Sequence, residues 1–143
     1  MEEKYFNRYR SFCRSLRNLK KSKSADPTAE FVLEGTIQNY NLTFDLAWKV
    51  MKDILVKQLE ITDFAIGSPR EVLQSAFTNG LISDDIWLKM LKTRNLLAHD
   101  YDGIIAKKNF RAIISNYYDA FDGLKDAITK FYDGSLPSID SFD

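Results

Sequence analysis

Histidine and cysteine are almost missing from these 143 residues, each occurring once, as His99 and Cys13. A single cysteine forms no internal disulfide, and with a single histidine the usual Cys/His zinc patterns cannot be written. Glycine (6) and proline (3) are also scarce, and no Gly-rich phosphate loop, G-x-S-x-G elbow or His-Glu-x-x-His helix occurs. Any triad that needs a second histidine is excluded. Apolar residues never run longer than three in a row, whereas a membrane-spanning helix needs roughly 20 and a signal peptide a stretch of about 7–15. The opening Met1-Glu2-Glu3-Lys4 is acidic and then aromatic, unlike a secretory leader. The expectation is a reduced, cytoplasmic protein that uses neither metal nor cofactor.

What is present is a core. Apolar residues make up 45% of the chain and aromatics 13%, enough for one folded domain and against disorder. Twenty Lys and Arg balance 20 Asp and Glu, but unevenly: residues 1–24 carry a net +6 and residues 119–143 a net −4. Such asymmetry is compatible with a nucleic-acid or partner surface.

Turn signals at Asp26-Pro27, Gly67-Ser68-Pro69, Asn79-Gly80, Asp102-Gly103 and Gly134 to Pro137 cut the chain into segments of helical apolar period. Tyr5, Tyr9, Phe12, Leu16 and Leu19, widened by Phe6 and Cys13, predict one amphipathic helix over about residues 2–23. Asp26 followed by Pro27 reads as the cap of a second helix. Its stripes Phe31, Tyr40, Phe44, Trp48, Met51, Leu55 and Leu42, Leu46, Val50, Ile54 place it centrally, with a bend or loosening expected at Asn39 to Asn41. Ser68-Pro69-Arg70-Glu71 is a capping box for a short helix, and Ser83-Asp84-Asp85 puts two carboxylates at the start of the next. Trp48 and Trp87 are assigned to the core, as Tyr117 and Tyr118 are to core or dimer packing. The last helix runs from about 105 to 132 and stops at Gly134. The fold class expected is all-α: an up-and-down bundle of four main helices plus one short helix, one domain over 1–132, with a mobile acidic tail over 133–143.

The candidate chemistry lies in Lys92-Thr93-Arg94-Asn95-Leu96-Leu97-Ala98-His99-Asp100-Tyr101. Arginine is a permanent planar cation suited to a phosphate, and a histidine titrating near neutrality can pass a proton. RNA carries its own nucleophile, the 2′-OH, so Arg94 and His99 suffice for metal-independent cleavage, with Asn95 free to orient a phosphate or the imidazole. The plain alternative is that His99 simply favours the negative end of a helix dipole. On a continuous helix Arg94 and His99 would point roughly 140° apart. Either the helix unwinds before His99 or two chains share the site. Residues seven apart return to one face, so Arg94 and Tyr101 would be neighbours if the helix continued through Asp100. A second surface is the basic stripe Arg10, Arg14, Arg17 and Lys21, either a solvated face or a weak contact for RNA or an acidic partner.

At these residues the sequence resembles the HEPN superfamily, whose ribonuclease members carry Arg, an adjacent polar residue, and a His four to six positions on. Arg94-Asn95-x-x-x-His99, extended to Tyr101, looks like the R-x4-H-x-Y variant of HEPN toxins paired with a minimal nucleotidyltransferase. Phe44-Asp45-Leu46-Ala47-Trp48-Lys49, Ser68-Pro69-Arg70-Glu71 and Trp87-Leu88-Lys89-Met90-Leu91 look like blocks of the nucleotidyltransferase substrate-binding proteins, a resemblance covering about residues 5–132. It implies a five-helix HEPN bundle, a homodimer whose two Arg/His sets face one cleft, and a separate nucleotidyltransferase chain acting as antitoxin by AMPylation of Tyr101. Two functions follow as expectations: a ribonuclease toxin with Arg94, His99 and Asn95 catalytic, or a non-catalytic substrate-binding subunit of a two-component nucleotidyltransferase.

Overall fold

Tyr9, Phe12, Cys13, Leu16 and Leu19 all lie on the buried side of α1 (Glu2–Lys21), the stripe that their spacing predicts. The computed structural model describes residues 2–57, 59–61 and 68–132, with side chains for 6–57, 59–61 and 68–128. After α1 come a 3-10 turn (Ser22–Ser24), α2 (Val32–Lys57), α3 (Pro69–Thr78), α4 (Ile86–Leu97), α5 (Ile104–Ala112), a π turn (Ile113–Tyr117) and α6 (Tyr118–Tyr132). The last three form one unbroken helical run, so the bundle has four main helices and one short one. It is all-α, with no strand among the described residues. Tyr5, Phe131, Gly134 and the tail over 133–143 fall outside the described side chains or residues.

Helix α2 is the axis of the bundle, packing against α1, α3, α4 and α5. Its start corrects the sequence reading. Asp26 does not cap a helix: its carboxylate accepts from the Thr28 amide at 2.9 Å and the Thr28 hydroxyl at 2.7 Å, a local Asx turn that uses up the capping oxygen. The chain turns its corner at Phe31, which takes φ 70° and leaves its ring 74% exposed, so α2 begins at Val32. Phe31 and Leu42 are therefore surface residues, where the apolar stripes place them inside. Helix α2 is unbroken through Asn39 to Asn41, with Tyr40 fully buried and the Thr43 hydroxyl donating to the Asn39 carbonyl.

Local capping follows the motifs at Ser68 and Asp84 but not at Asp85. Ser68 accepts from the Glu71 amide and Pro69 fills the first position of α3. Asp84 Oδ1 accepts from the Ile86 amide at 3.0 Å, while Asp85 makes no side-chain cap bond. Phe121 of α6 is the meeting point of the core. Its ring lies 6.2 Å from Phe12 of α1, 6.0 Å from Tyr40 of α2 and 5.6 Å from Trp87 of α4. Burying each such ring contributes about 1.5–3 kcal/mol, and each edge-on or offset pair about 0.5–1.5 kcal/mol more. Trp48 and Trp87 are both in the core, with Tyr117 and Tyr118 buried beside them. Cys13 is buried and desolvation pushes its thiol up, which leaves it a packing residue.

Candidate functional site

Two buried tyrosines set the orientation of α4. The Tyr40 hydroxyl donates to the Met90 carbonyl at 2.8 Å, one turn before Arg94. Tyr117, delivered by the π turn, stacks on Tyr40 with ring centres 5.7 Å apart and meets the Thr93 hydroxyl at 3.0 Å. Burial pushes the Tyr40 phenol well above its ordinary range; nearby Tyr117 adds to this and the Arg94 charge opposes it. Tyr40 therefore stays a protonated donor at neutral pH.

With α4 held at Met90 and Thr93, in the turn that precedes position 94, Arg94 points to α2. Its Nη2 donates to Asp45 Oδ1 at 2.7 Å, and its Nη1 reaches the Asn95 side-chain oxygen at 3.5 Å. Both members of the Arg94–Asp45 pair are 34% exposed, so the guanidinium is anchored without being covered. Asp45 was not among the residues singled out for chemistry. Nothing in the spacing could have identified it, because it lies 49 positions before its partner.

As the first of the two alternatives requires, the helix ends before His99: α4 stops at Leu97 and the chain tightens into a turn. There the His99 amide donates to the Leu96 carbonyl at 3.1 Å and the Asp100 amide to the Leu97 carbonyl at 3.3 Å. His99 and Asn95 are exposed, and Tyr101 is 89% exposed. The helical continuation that would align Arg94 with Tyr101 is not made. Asp100 closes the turn from below, its Oδ1 accepting from Ile105 N at 2.9 Å and its Oδ2 from Ala106 N at 2.8 Å. Those two bonds satisfy orphan amides of α5, so Ile105 and Ala106 do not offer their amides to an external anion. Arg94, Asn95, His99 and Tyr101 thus occupy one corner, the end of α4 and the turn into α5. A cleft of about 360 Å³ adjoins it, between Ile37 and Asn41 of α2 and Leu97, Asp100 and Gly103.

The structure does not bring the basic stripe to this corner. α1 packs on α2 and α6, whereas α4 packs on α2, α3 and α5. Arg10 donates to Asn7, Lys21 donates to Asn18, and Arg14 and Arg17 are also engaged. Among the described residues no three His, Cys, Asp or Glu side chains converge as metal ligands, and no helix is long and apolar enough to cross a membrane.

No curated protein matches the chain. A match does come from the family described as nucleotidyltransferase substrate binding protein like, over residues 4–130. That span runs from α1 into α6 and takes in both the Arg94–Asp45 pair and the His99 turn. The chain belongs to the nucleotidyltransferase substrate binding protein-like family.

Proposed function

We propose that this protein is a HEPN-type, metal-independent endoribonuclease toxin whose cognate nucleotidyltransferase silences it by AMPylating Tyr101. The observation that carries the reading is the exposed corner at the end of α4, where an anchored but uncovered Arg94 contacts Asn95, an exposed His99 follows five residues on in the turn, and Tyr101 protrudes two residues further. The 2′-oxygen of RNA attacks the adjacent phosphorus and the 5′-oxygen leaves, giving a 2′,3′-cyclic phosphate and a 5′-hydroxyl. Arg94 stabilises the charge of the phosphorane, and Asn95 assists. His99 serves one of the two proton transfers, and a second chain in a homodimer supplies the other imidazole. The basic residues Arg10, Arg14, Arg17 and Lys21 remain a weak candidate for further RNA or partner contact.

In the switch, the Tyr101 phenol oxygen attacks the α-phosphate of ATP and pyrophosphate leaves. The phosphodiester so formed places a negative charge and a nucleotide beside Arg94 and His99, where it blocks RNA. The exposure of Tyr101 favours this role, since a partner enzyme must reach its hydroxyl.

The family description favours a second reading, in which the chain is a non-catalytic substrate-binding subunit of a two-component nucleotidyltransferase. Expression in cells without the partner separates them. A toxin arrests growth, and His99→Ala or Arg94→Ala restores it; harmless expression together with intact RNA in vitro leaves the binding subunit. Intact mass after mixing with partner and ATP is expected to rise by one or more AMP units, and Tyr101→Phe to abolish the rise.

A further inference from the structure

We infer that Asp45 is a positioning residue for the cleavage reaction: its carboxylate fixes the Arg94 guanidinium so that the unengaged N–H groups face the scissile phosphate. The inference rests on the ribonuclease reading. Its geometric basis is the 2.7 Å bond from Arg94 Nη2 to Asp45 Oδ1, made between side chains that are each about one-third exposed.

Three features separate positioning from masking or simple surface pairing. First, guanidinium has five N–H groups, and Asp45 and Asn95 engage one each. Enough donors remain for a two-pronged grip on a phosphate. Second, Asp45 stands on a rigid platform: its neighbours Phe44 and Ala47 are fully buried, and α2 is tied to α4 by the Tyr40 bond to Met90. A carboxylate on such a platform can hold a long flexible side chain in one rotamer, which an exposed lysine-like cation alone would not keep. Third, the pair joins α2 to α4, elements 49 positions apart in sequence, so the orientation of Arg94 is set by the fold and not by its own helix. A group that must meet a developing charge gains rate when it is aligned before substrate arrives.

The test is cleavage of an oligoribonucleotide by the full chain and by Asp45→Ala, Asp45→Asn, Asp45→Glu, Arg94→Ala and Asp45→Ala/Arg94→Ala, with melting temperatures measured in parallel. Asp45→Ala is expected to lower kcat on the order of 10–100-fold, while KM stays level or falls, because a negative charge has left the neighbourhood of a polyanion. Asp45→Glu, which keeps the carboxylate, should recover part of kcat, and the double variant should be no slower than Arg94→Ala. A purely structural role would lower the melting temperature and leave kcat per folded molecule unchanged. Wild-type kcat in Asp45→Ala or Asp45→Asn overturns the inference, faster cleavage means that Asp45 masks Arg94, and independent losses in the double variant mean that the two act separately. A wild-type chain that cleaves no RNA overturns the ribonuclease reading itself, and this inference with it.

Discussion

Thr93 and Tyr117 meet hydroxyl to hydroxyl at 3.0 Å, across the gap between α4 and the π turn. A π turn adds one residue to a helical turn and shifts the side chains that follow it. Here it spans Ile113–Tyr117 and ends on the residue that contacts both Tyr40 and the position preceding Arg94. Irregular backbone of this kind recurs where a fold aims a functional side chain. Tyr117→Phe removes one partner of a buried pair and leaves the Thr93 hydroxyl unsatisfied, so it should destabilise the protein by about 1–3 kcal/mol. Chemical denaturation followed by helical circular dichroism measures this. Thr93→Val with Tyr117→Phe should cost less than the sum of the two single changes, since no lone hydroxyl then remains buried.

Asp100 bonds two successive amides of α5 from within the turn that carries His99 and Tyr101. Loss of a capping carboxylate typically costs about 0.5–2 kcal/mol, and Asp100→Ala should fall in the upper half of that range because both oxygens are used. Asp100→Asn should retain part of the effect through its amide oxygen. Amide hydrogen exchange at Ile105 and Ala106 is the direct readout, and both should exchange faster in the alanine variant. Unchanged protection would mean that the turn holds α5 without the carboxylate.

Burial is the main reason that Tyr9 and Tyr40 are pushed above the ordinary tyrosine range. A phenol is neutral when protonated, so a raised folded-state value means that the protonated form is favoured in the fold. The unfolded tyrosine ionises near about pH 10. The contribution of these two groups is therefore complete below that pH and is lost as the pH rises toward the higher folded-state values. Stability should fall steeply above about pH 10 and the midpoint of urea unfolding should drop there. Tyr9→Phe should flatten that alkaline limb, and a limb of unchanged slope would assign it to other groups.

Short-range devices were legible in the residues; long-range ones were not. The Ser68 cap of α3 and the Asp84 bond to Ile86 each close within three residues, so spacing alone reveals them. The stripes that bury Phe12, Phe44, Trp48 and Trp87 repeat at helical period and needed only the hydrophobic effect to be read. The end of α4 before His99 is one of the two alternatives left by asking how Arg94 and His99 could face one group. By contrast, the Asp45 partner of Arg94 depends on the crossing of two helices, and the π turn has no compositional mark in Ile113-Ile114-Ser115-Asn116-Tyr117. Asp26-Pro27 illustrates the ambiguity of local signals. The same pair serves as a helix cap or as an Asx turn, and only the corner at Phe31 selects between them.

Phe31 sets local conformation against burial. It holds φ 70°, a left-handed conformation, while its ring is 74% exposed and so returns little burial for the strain. A non-glycine residue in this region costs roughly 1–2 kcal/mol. Asparagine tolerates the conformation better than phenylalanine, without the extra unfolded-state freedom of glycine. Phe31→Asn should therefore raise stability by about 0.5–1 kcal/mol, and Phe31→Gly by less, because its gain in ease is partly offset by chain entropy. Phe31→Val, which adds a branched Cβ at the same φ, should lower it. The order Asn above Gly above Phe above Val in melting temperature is the expected result. A drop in Phe31→Asn would show that the ring, which lines a surface cleft with Lys107, Phe110 and Arg111, contributes more by packing there than its left-handed backbone costs.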